Sequence, residues 1–521
     1  MPDLKKTLKR AAVTLLIAVM TLGIFSVTAL AGEDSSDELS STDMKGKTIG
    51  AVTGGTSQTL ISDFLDGDLT LQFYNSNVDM ALALESNKID AYITDMYQAR
   101  DMCMAYEGQY VMEPMISSAP AGFIFKKNDE KSAALKAQIN EYLAKIRADG
   151  TWQEIYDIWM NYDEDLKVVD MTFTGENGTL VMGSSSNIGN PFCFMKNGVL
   201  VGFEIDIAAR FCREYGYRLT VVDYDYSGLV PAVLSGKVDF AGDSVMQTPA
   251  RLESVDFSDE TCLMGFVLVA KKETATSAGG SITSFFESVK TSFTRTFIEE
   301  NRYRLFINGI ITTLIIVISS IILGTGLGFF VYMLCRNGNK AANKITGFFS
   351  WLIHGMPAVV LLMILYYIAF GSTKISGMVV AIIAFTLVFA VGVIAMLRSG
   401  VSAVDPGQME AALALGYKNR DAFFKLILPQ AAAHSMPAYK AEIVSLIKAT
   451  AVVGYIAVQD LTKVGDLVRS RTFEAFFPLI ATALIYFLLA GILNFLVKHV
   501  EIKLDTRQRS KEKILKGAVL K

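Results

Sequence analysis

The stretch "MEAALALGYKNRDAFFKLILPQA", Met409–Ala431, stands between two long apolar runs and decides how the rest of the chain is read. Ala411, Ala412, Leu413, Ala414 and Leu415 favour helix, and Gly416 suits the residue just past a helix end. Asp421 is placed to cap a second short helix with Phe423, Phe424 and Ile427 on its apolar face, and Pro429 predicts its stop. Apolar side chains held in water beside a membrane ask for a protein partner; a plain surface loop is the other reading. The choice turns on which side of a membrane this hairpin faces.

The 521 residues are 51% hydrophobic and 19% charged, with a mean hydropathy of +0.36. That is too apolar for an ordinary soluble enzyme and too charged for a chain that is membrane throughout. The length allows about two to four domains. The apolar excess lies almost wholly after residue 300, so a soluble half precedes a membrane half, and the net charge of -4 argues against nucleic acid as the main partner.

Five apolar runs are candidates to cross ~30 Å of hydrocarbon: roughly Phe306–Leu334, Phe348–Phe370, Gly377–Leu397, Ile443–Val458 and Phe476–Val497. The fourth is the shortest and carries Lys448, which is either functional or faces a protein partner. At the N-terminus, Lys5, Lys6, Lys9 and Arg10 precede an apolar run from Ala11 to Phe25. Ala29 and Ala31 then form a small-residue cleavage site, so residues 1–31 read as a signal peptide, with an uncleaved anchor as the alternative. Either reading puts the next half outside the cytoplasm. The first span then runs inward to Arg336, Lys340 and Lys344, and Lys374 lies in an outer loop. The third span returns inside to Arg398, and the last ends inside at Lys498, Lys503, Arg507 and Arg509. Export signal and basic flanks agree, so the hairpin and the C-terminus are expected in the cytoplasm of a multi-pass plasma-membrane protein.

The hairpin resembles the coupling loop of binding-protein-dependent ABC importers. The match rests on Glu410-Ala411-Ala412, Gly416, Leu426 and Leu428-Pro429. Its surroundings, "NGIITTL", "RSGVSAVDPGQMEAALALG", "SLIKATAVVG" and "IYFLLAGILNFLVKHVEIKL", are similar to the polar amino-acid permease branch. "HGMP", His354–Pro357, departs from that branch's usual turn. The resemblance implies that residues 405–430 sit in a groove of an ATPase subunit. That subunit is expected on a separate chain, because a Walker A loop needs G-x-x-x-x-G-K-[ST] and the nearest match, Gly46–Thr48, has Ser41 where the first glycine belongs. ATP and magnesium are therefore expected on the partner. "VVGY", Val452–Tyr455, echoes a potassium filter but lacks its flanking Thr and Gly.

In the exported half, an apolar strand from Leu180 leads into a Ser/Gly loop and a "KNG" turn. An amphipathic helix follows with Ile205, Ala208, Ala209 and Phe211 inward, so this part reads as an α/β lobe with a largely parallel sheet. Pro191-Phe192, "GFEID", "LVPAVLSGKVDF", "TPAR" and "VDFSD" resemble the first lobe of periplasmic-type amino-acid-binding proteins. By that resemblance Arg251 clamps an α-carboxylate, Tyr226 packs on the ligand side chain and Ser244 offers hydrogen bonds; a surface salt bridge is the other reading of Arg251. Met246 stands where a Ser or Thr is usual. "GKTIGAVTGGTSQTL", "ALALESNKIDAYITD" and "RADGTWQEIYDIWMN" resemble the second lobe. They imply Gly55, Thr56 and Ser57 as carboxylate ligands and Asp95 as the α-ammonium partner, a helix N-cap being the alternative for Asp95.

The expected fold is thus an α/β two-lobed binding domain followed by an all-α, five-helix permease domain. Its lobes come in permuted order, 44–170 second-lobe-like and 178–272 first-lobe-like; two incomplete domains that pair with other chains are the alternative. Residues 273–304 form a linker, with Phe285, Val289, Phe293 and Phe297 as an amphipathic stripe, and 305–505 form the permease. The tether raises the donor's effective concentration at the pore. The expected function is an ATP-driven importer of a polar amino acid, half of a two-fold homodimer or else of a mixed pair. A ligand-gated sensor is the alternative from another class. No nucleophile–base pair, metal cluster or catalytic group stands out. Five cysteines allow disulfides without requiring them, and the three histidines are scattered.

Overall fold

The computed structural model describes residues 44–53, 69–271 and 289–504, apart from 106–107, 162, 337, 372, 374 and 475. The signal segment, Gly55, Thr56, Ser57, Phe285, Lys374, Arg507 and Arg509 lie outside the described residues.

Among the described residues, the first half builds two five-stranded sheets and one two-stranded sheet. Its strands are β1 Thr48–Val52, β2 Thr70–Tyr74, β3 Ala91–Asp95, β4 Gln109–Ala121, β5 Ile124–Lys126 and β6 Thr179–Ser184. They continue with β7 Phe194–Lys196, β8 Val199–Val201, β9 Arg218–Asp223, β10 Phe240–Ala241, β11 Val255–Phe257 and β12 Cys262–Lys271. Sheet one has the order β2-β1-β3-β12-β4. β1 pairs in parallel with β2 and β3, whereas β12 runs antiparallel to β3 and β4. Sheet two has the order β11-β5-β10-β6-β9, with β6 parallel to β9 and β10. The short hairpin of β7 with β8 closes the "KNG" turn.

The chain crosses between the sheets twice, from β4 to β5 and from β11 to β12. Gly122 marks the crossing. A Cβ there would lie 2.9 Å from Ser258 Oγ, so only glycine lets the two connections run side by side. The division expected at residue 170 is therefore corrected. Helices Glu130–Ala148 and Thr151–Met160 belong with sheet two, where Leu135, Ile139, Leu143, Ile146 and Trp159 share a core with Phe203, Phe211 and Phe240. Burying that apolar face outweighs nearness in sequence. The lobes thus follow the order sheet one, sheet two, and back to sheet one through β12. The five cysteines are free thiols.

Among the described residues of the second half, three helices are long and apolar enough to cross a membrane: Tyr303–Arg336, Gly377–Ser402 and one starting at Phe477. The number rises to five if each of two bent pairs is one span. The first two pack closely because Gly328 faces the Gly377–Ser402 helix, where a Cβ would meet Ala390 O at 2.7 Å. The run Phe348–Phe370 is not one straight helix. Lys340–His354 and Ala358–Ala369 meet at 108° around Gly355-Met356-Pro357, where proline disfavours helix in the residue before it. The fourth run is part of a longer element, helix Leu428–Ala449 and 3-10 turn Thr450–Ile456. This bends by 56° into helix Leu461–Thr472. Lys448 is exposed on it. Ahead of the first span, the Phe297 ring lies tilted against Phe306 with centres 4.8 Å apart and meets Phe477 edge-on, so this end of the linker packs on the permease half itself.

Candidate functional site

The two lobes meet face to face. Gln98 of the sheet-one lobe donates to Ile188 O of the other, the Tyr97 and Tyr156 hydroxyls touch, and Asn190 Nδ2 donates to Asp101 Oδ2 at 3.0 Å. Between them lies a cavity of about 60 Å³ whose walls include Asp95, Gln98, Tyr226, Asp243, Ser244 and Met246. Three of the expected ligand-binding residues, Asp95, Tyr226 and Ser244, therefore come together from opposite lobes.

Asp95 ends β3, and its Oδ1 accepts the Gln98 backbone N–H at 2.9 Å. It caps the helix Met96–Ala105 and also lines the cleft. Burial pushes its carboxyl up to about 7, although the backbone donors of Gln98 and Tyr97 pull the other way. Ser244 sits at φ +51°, and its N–H donates to Glu204 Oε2 at 2.7 Å. This strained turn brings Asp243 to the wall, a residue sequence reasoning passed over, although an acidic side chain just past a strand end was a legible signal. Arg251 is not on the cavity wall. Its Nη1 donates to Met246 O at 3.1 Å, and its guanidinium lies 5.7 Å from the Tyr226 ring centre, so it stands one ring behind the cleft.

The lobes rest on the helix Leu461–Thr472, which sequence reasoning also missed. Lys463 is 3% exposed. Its ammonium donates to Asp225 Oδ1 at 2.9 Å and Asn187 Oδ1 at 3.1 Å, with Asp223 at 3.8 Å. Two turns on, Arg469 pairs with Asp79 of the sheet-one lobe, and Arg471 pairs with Glu164 at 2.8 Å and Glu300 at 2.7 Å. One helix therefore grips both lobes through cations set against carboxylates. Its signal in "LTKVGDLVRSRT" was three cations just ahead of an apolar span. A second cavity, about 250 Å³, lies where the three parts meet and is walled by Asn75, Asn187, Tyr226, Tyr455, Lys463 and Asp466, among others. Tyr226 borders both cavities.

The hairpin Met409–Ala431 folds within helix Gly407–Ala414, a left-handed Gly416 at φ +86°, helix Asn419–Ala422 and a π turn Phe423–Ile427 that runs straight into Leu428–Ala449. Gly416 N–H donates to Leu413 O and Tyr417 N–H to Ala412 O, which closes the first helix as expected. Two details are corrected. Asp421 lies inside its helix, which follows Lys418, and Pro429 sits in the first turn of the next helix instead of ending one, where its missing N–H costs nothing. Phe423 and Ile427 point inward, packed with Tyr332, Val404 and Ala431, and Arg336 lies 3.6 Å from the Phe423 ring centre. The apolar surface left in the open comes from Leu413, Leu415, Tyr417 and Phe424, with Leu415 79% exposed. Glu410, Ala411 and Pro429 are exposed, Leu426 and Leu428 half-buried and Ala412 buried.

Comparison with known proteins agrees with both halves. Residues 320–506 match the binding-protein-dependent transport system inner membrane component family, and residues 59–162 match bacterial extracellular solute-binding proteins, family 3. The arginine transport system permease protein ArtQ of Bacillus subtilis is 35% identical over 206 residues, covering 38% of this chain and 92% of that protein. The putative glutamine transport system permease protein GlnP of Rickettsia conorii is 30% identical over 200 residues, with the same coverage. A crystal structure of an amino acid ABC transporter with histidines is 29% identical. It covers 42% of this chain and 98% of its own, with a TM-score of 0.37. The chain belongs to the amino-acid ABC transporter permeases and carries, fused ahead of its permease domain, a family 3 solute-binding domain.

Proposed function

We propose that the lobes capture a polar amino acid outside the cytoplasm and pass it to the permease half of the same chain, driven by ATP hydrolysis on a separate ABC subunit. The observation that carries this reading is the pair of cavities sharing Tyr226. One lies between closed lobes, and the other lies between those lobes and the permease, so a ligand leaving the first meets the second. Asp95 receives the α-ammonium, Ser244 and the Gly55–Ser57 segment serve the α-carboxylate, and Arg251 reaches that carboxylate once the Tyr226 ring turns aside. Buried opposite charges need each other, so ligand and closure favour one another. The lobe order supports one circularly permuted clamshell within the chain. Relatives are named for glutamine and for arginine, so the substrate class is polar amino acids.

The exposed Leu413, Leu415, Tyr417 and Phe424 give the hairpin an apolar face for the ATPase, which binds ATP and magnesium. Two chains complete the translocator in a homodimer, with hairpin and C-terminus in the cytoplasm.

Two measurements test this. The full chain in lipid nanodiscs, titrated with the twenty amino acids, is expected to bind a polar one with a Kd in the micromolar range or below; no binding by any of them sinks the assignment of the cleft. Co-purification of an ABC ATPase with the full chain is expected to be lost in Gly416→Trp, which puts a bulky side chain at a positive φ and in the middle of the exposed face. A complex that survives this change locates the ATPase contact elsewhere.

A further inference from the structure

The cleft has more carboxyl groups than a neutral amino acid can use. Its wall presents two carboxylates, Asp95 from one lobe and Asp243 from the other. No Lys or Arg is among the described residues that wall it, Arg251 stands behind Tyr226, and the sequence of 54–68 contains no Lys or Arg. A zwitterion occupies Arg251 with its carboxylate and Asp95 with its ammonium. That leaves Asp243.

The surroundings of Asp243 show a site built for a donor from the ligand. The side chain is 2% exposed, and one oxygen, Oδ2, accepts the Ser185 N–H at 3.0 Å. Its other oxygen, Oδ1, is buried without any hydrogen-bond partner, and so is the hydroxyl of Ser185 beside it. An orphaned buried carboxylate oxygen is costly, so native structures keep few of them. Neighbouring acids do not share this condition. Glu204 accepts from Ser244 N–H and from the Thr261 hydroxyl, and Asp223 accepts the Ser186 N–H at 2.9 Å and its hydroxyl at 2.8 Å. The turn is also fixed. Gly242 has no room for a Cβ, which would lie 2.5 Å from the Phe123 ring, and Ser244 holds its positive φ. The backbone that carries Asp243 is therefore held in place on both sides. Burial and the nearby Glu204 push its carboxyl upward, and a ligand cation would relieve both.

We infer that Asp243 receives a second positive charge, and that the substrate is an amino acid with a cationic side chain, an ammonium or guanidinium bound by Asp243 Oδ1 and the Ser185 hydroxyl. This rests on the amino-acid reading of the cleft and narrows it.

The test uses the full chain in nanodiscs at pH 8 with arginine and citrulline, which are nearly equal in shape and differ in charge, and with lysine and glutamine as a second pair. The cationic member is expected to bind at least about tenfold tighter in one pair, as for a charge-assisted hydrogen bond against a neutral one. Asp243→Asn is expected to bring that ratio close to one. If the cationic member binds no tighter in either pair, or if Asp243→Asn leaves the ratio unchanged, the inference is overturned while the amino-acid reading stands. If no amino acid binds the wild-type protein, the reading of the cleft fails and takes this inference with it. The wild-type comparison needs no variant, so a poorly folding Asp243→Asn leaves the test intact.

Discussion

Reversing the charge of Lys463 is expected to lower uptake into proteoliposomes by roughly two orders of magnitude while amino-acid binding by the same preparation stays within about twofold. The ammonium is buried against Asp225, Asn187 and Asp223, and removing one partner of such a cluster leaves carboxylates desolvated without compensation. In Lys463→Glu the repulsion adds to that loss. The covalent tether keeps the lobes near the permease, which softens the effect of a neutral Lys463→Ala but does not restore a dock that repels. Affinity is spared because Lys463 borders the second cavity and not the cleft. Swapping the pair, Lys463→Asp with Asp225→Lys, is expected to recover part of the uptake. Unchanged uptake in Lys463→Glu would show that the contact is incidental, and a parallel fall in affinity would make Lys463 part of the binding site.

The second large effect concerns Asp95. Asp95→Asn keeps the shape and removes the charge opposite the ligand's ammonium, so affinity is expected to drop by about a hundredfold or more. Stability moves the other way. Because burial lifts this carboxyl to about 7 in the folded chain, its contribution to stability is full below the unfolded value near 4. That contribution is lost as pH rises through 7. At pH 8 keeping the buried group ionised costs on the order of 4 kcal/mol, the free-energy equivalent of lifting a carboxyl from about 4 to about 7, and the amide is freed of that cost. The ligand-free variant is therefore expected to melt higher than wild type at pH 8 and to lose most of that advantage at pH 5. The same ionisation makes wild-type affinity rise with pH up to about 7, with a proton released on binding below it, detectable by calorimetry in buffers of different ionisation enthalpy. A variant that binds normally, or a flat affinity profile between about pH 5.5 and 8, removes Asp95 from its role.

The parts of the molecule that could be read from sequence are those governed by local chemistry. Gly416 announces its turn because few other residues tolerate a positive φ there, and Asp95 announces a strand end and a helix cap within three residues. Pro429 is ambiguous because proline both ends helices and begins them, and the π turn before it decides which. Phe423 and Ile427 read as an exposed face because their partners, Tyr332 and Val404, lie on other elements. Nearness in sequence puts helices 130–160 in the wrong lobe for the same reason: the crossings at 122 and 261 carry no periodic signal. The resemblance points to Arg251, whereas the orphaned oxygen of Asp243 shows only when the surrounding shell is in place.

The strand β12 runs through the middle of sheet one, with Phe266 opposite Asp95, and the chain leaves it at Lys271 for the membrane half. The 17 residues 272–288 cannot span more than ~60 Å, so the binding domain is tied to its own permease domain within that distance. Delivery as proposed is then a first-order event, indifferent to how much of the protein the cell makes, with one binding domain for every permease domain.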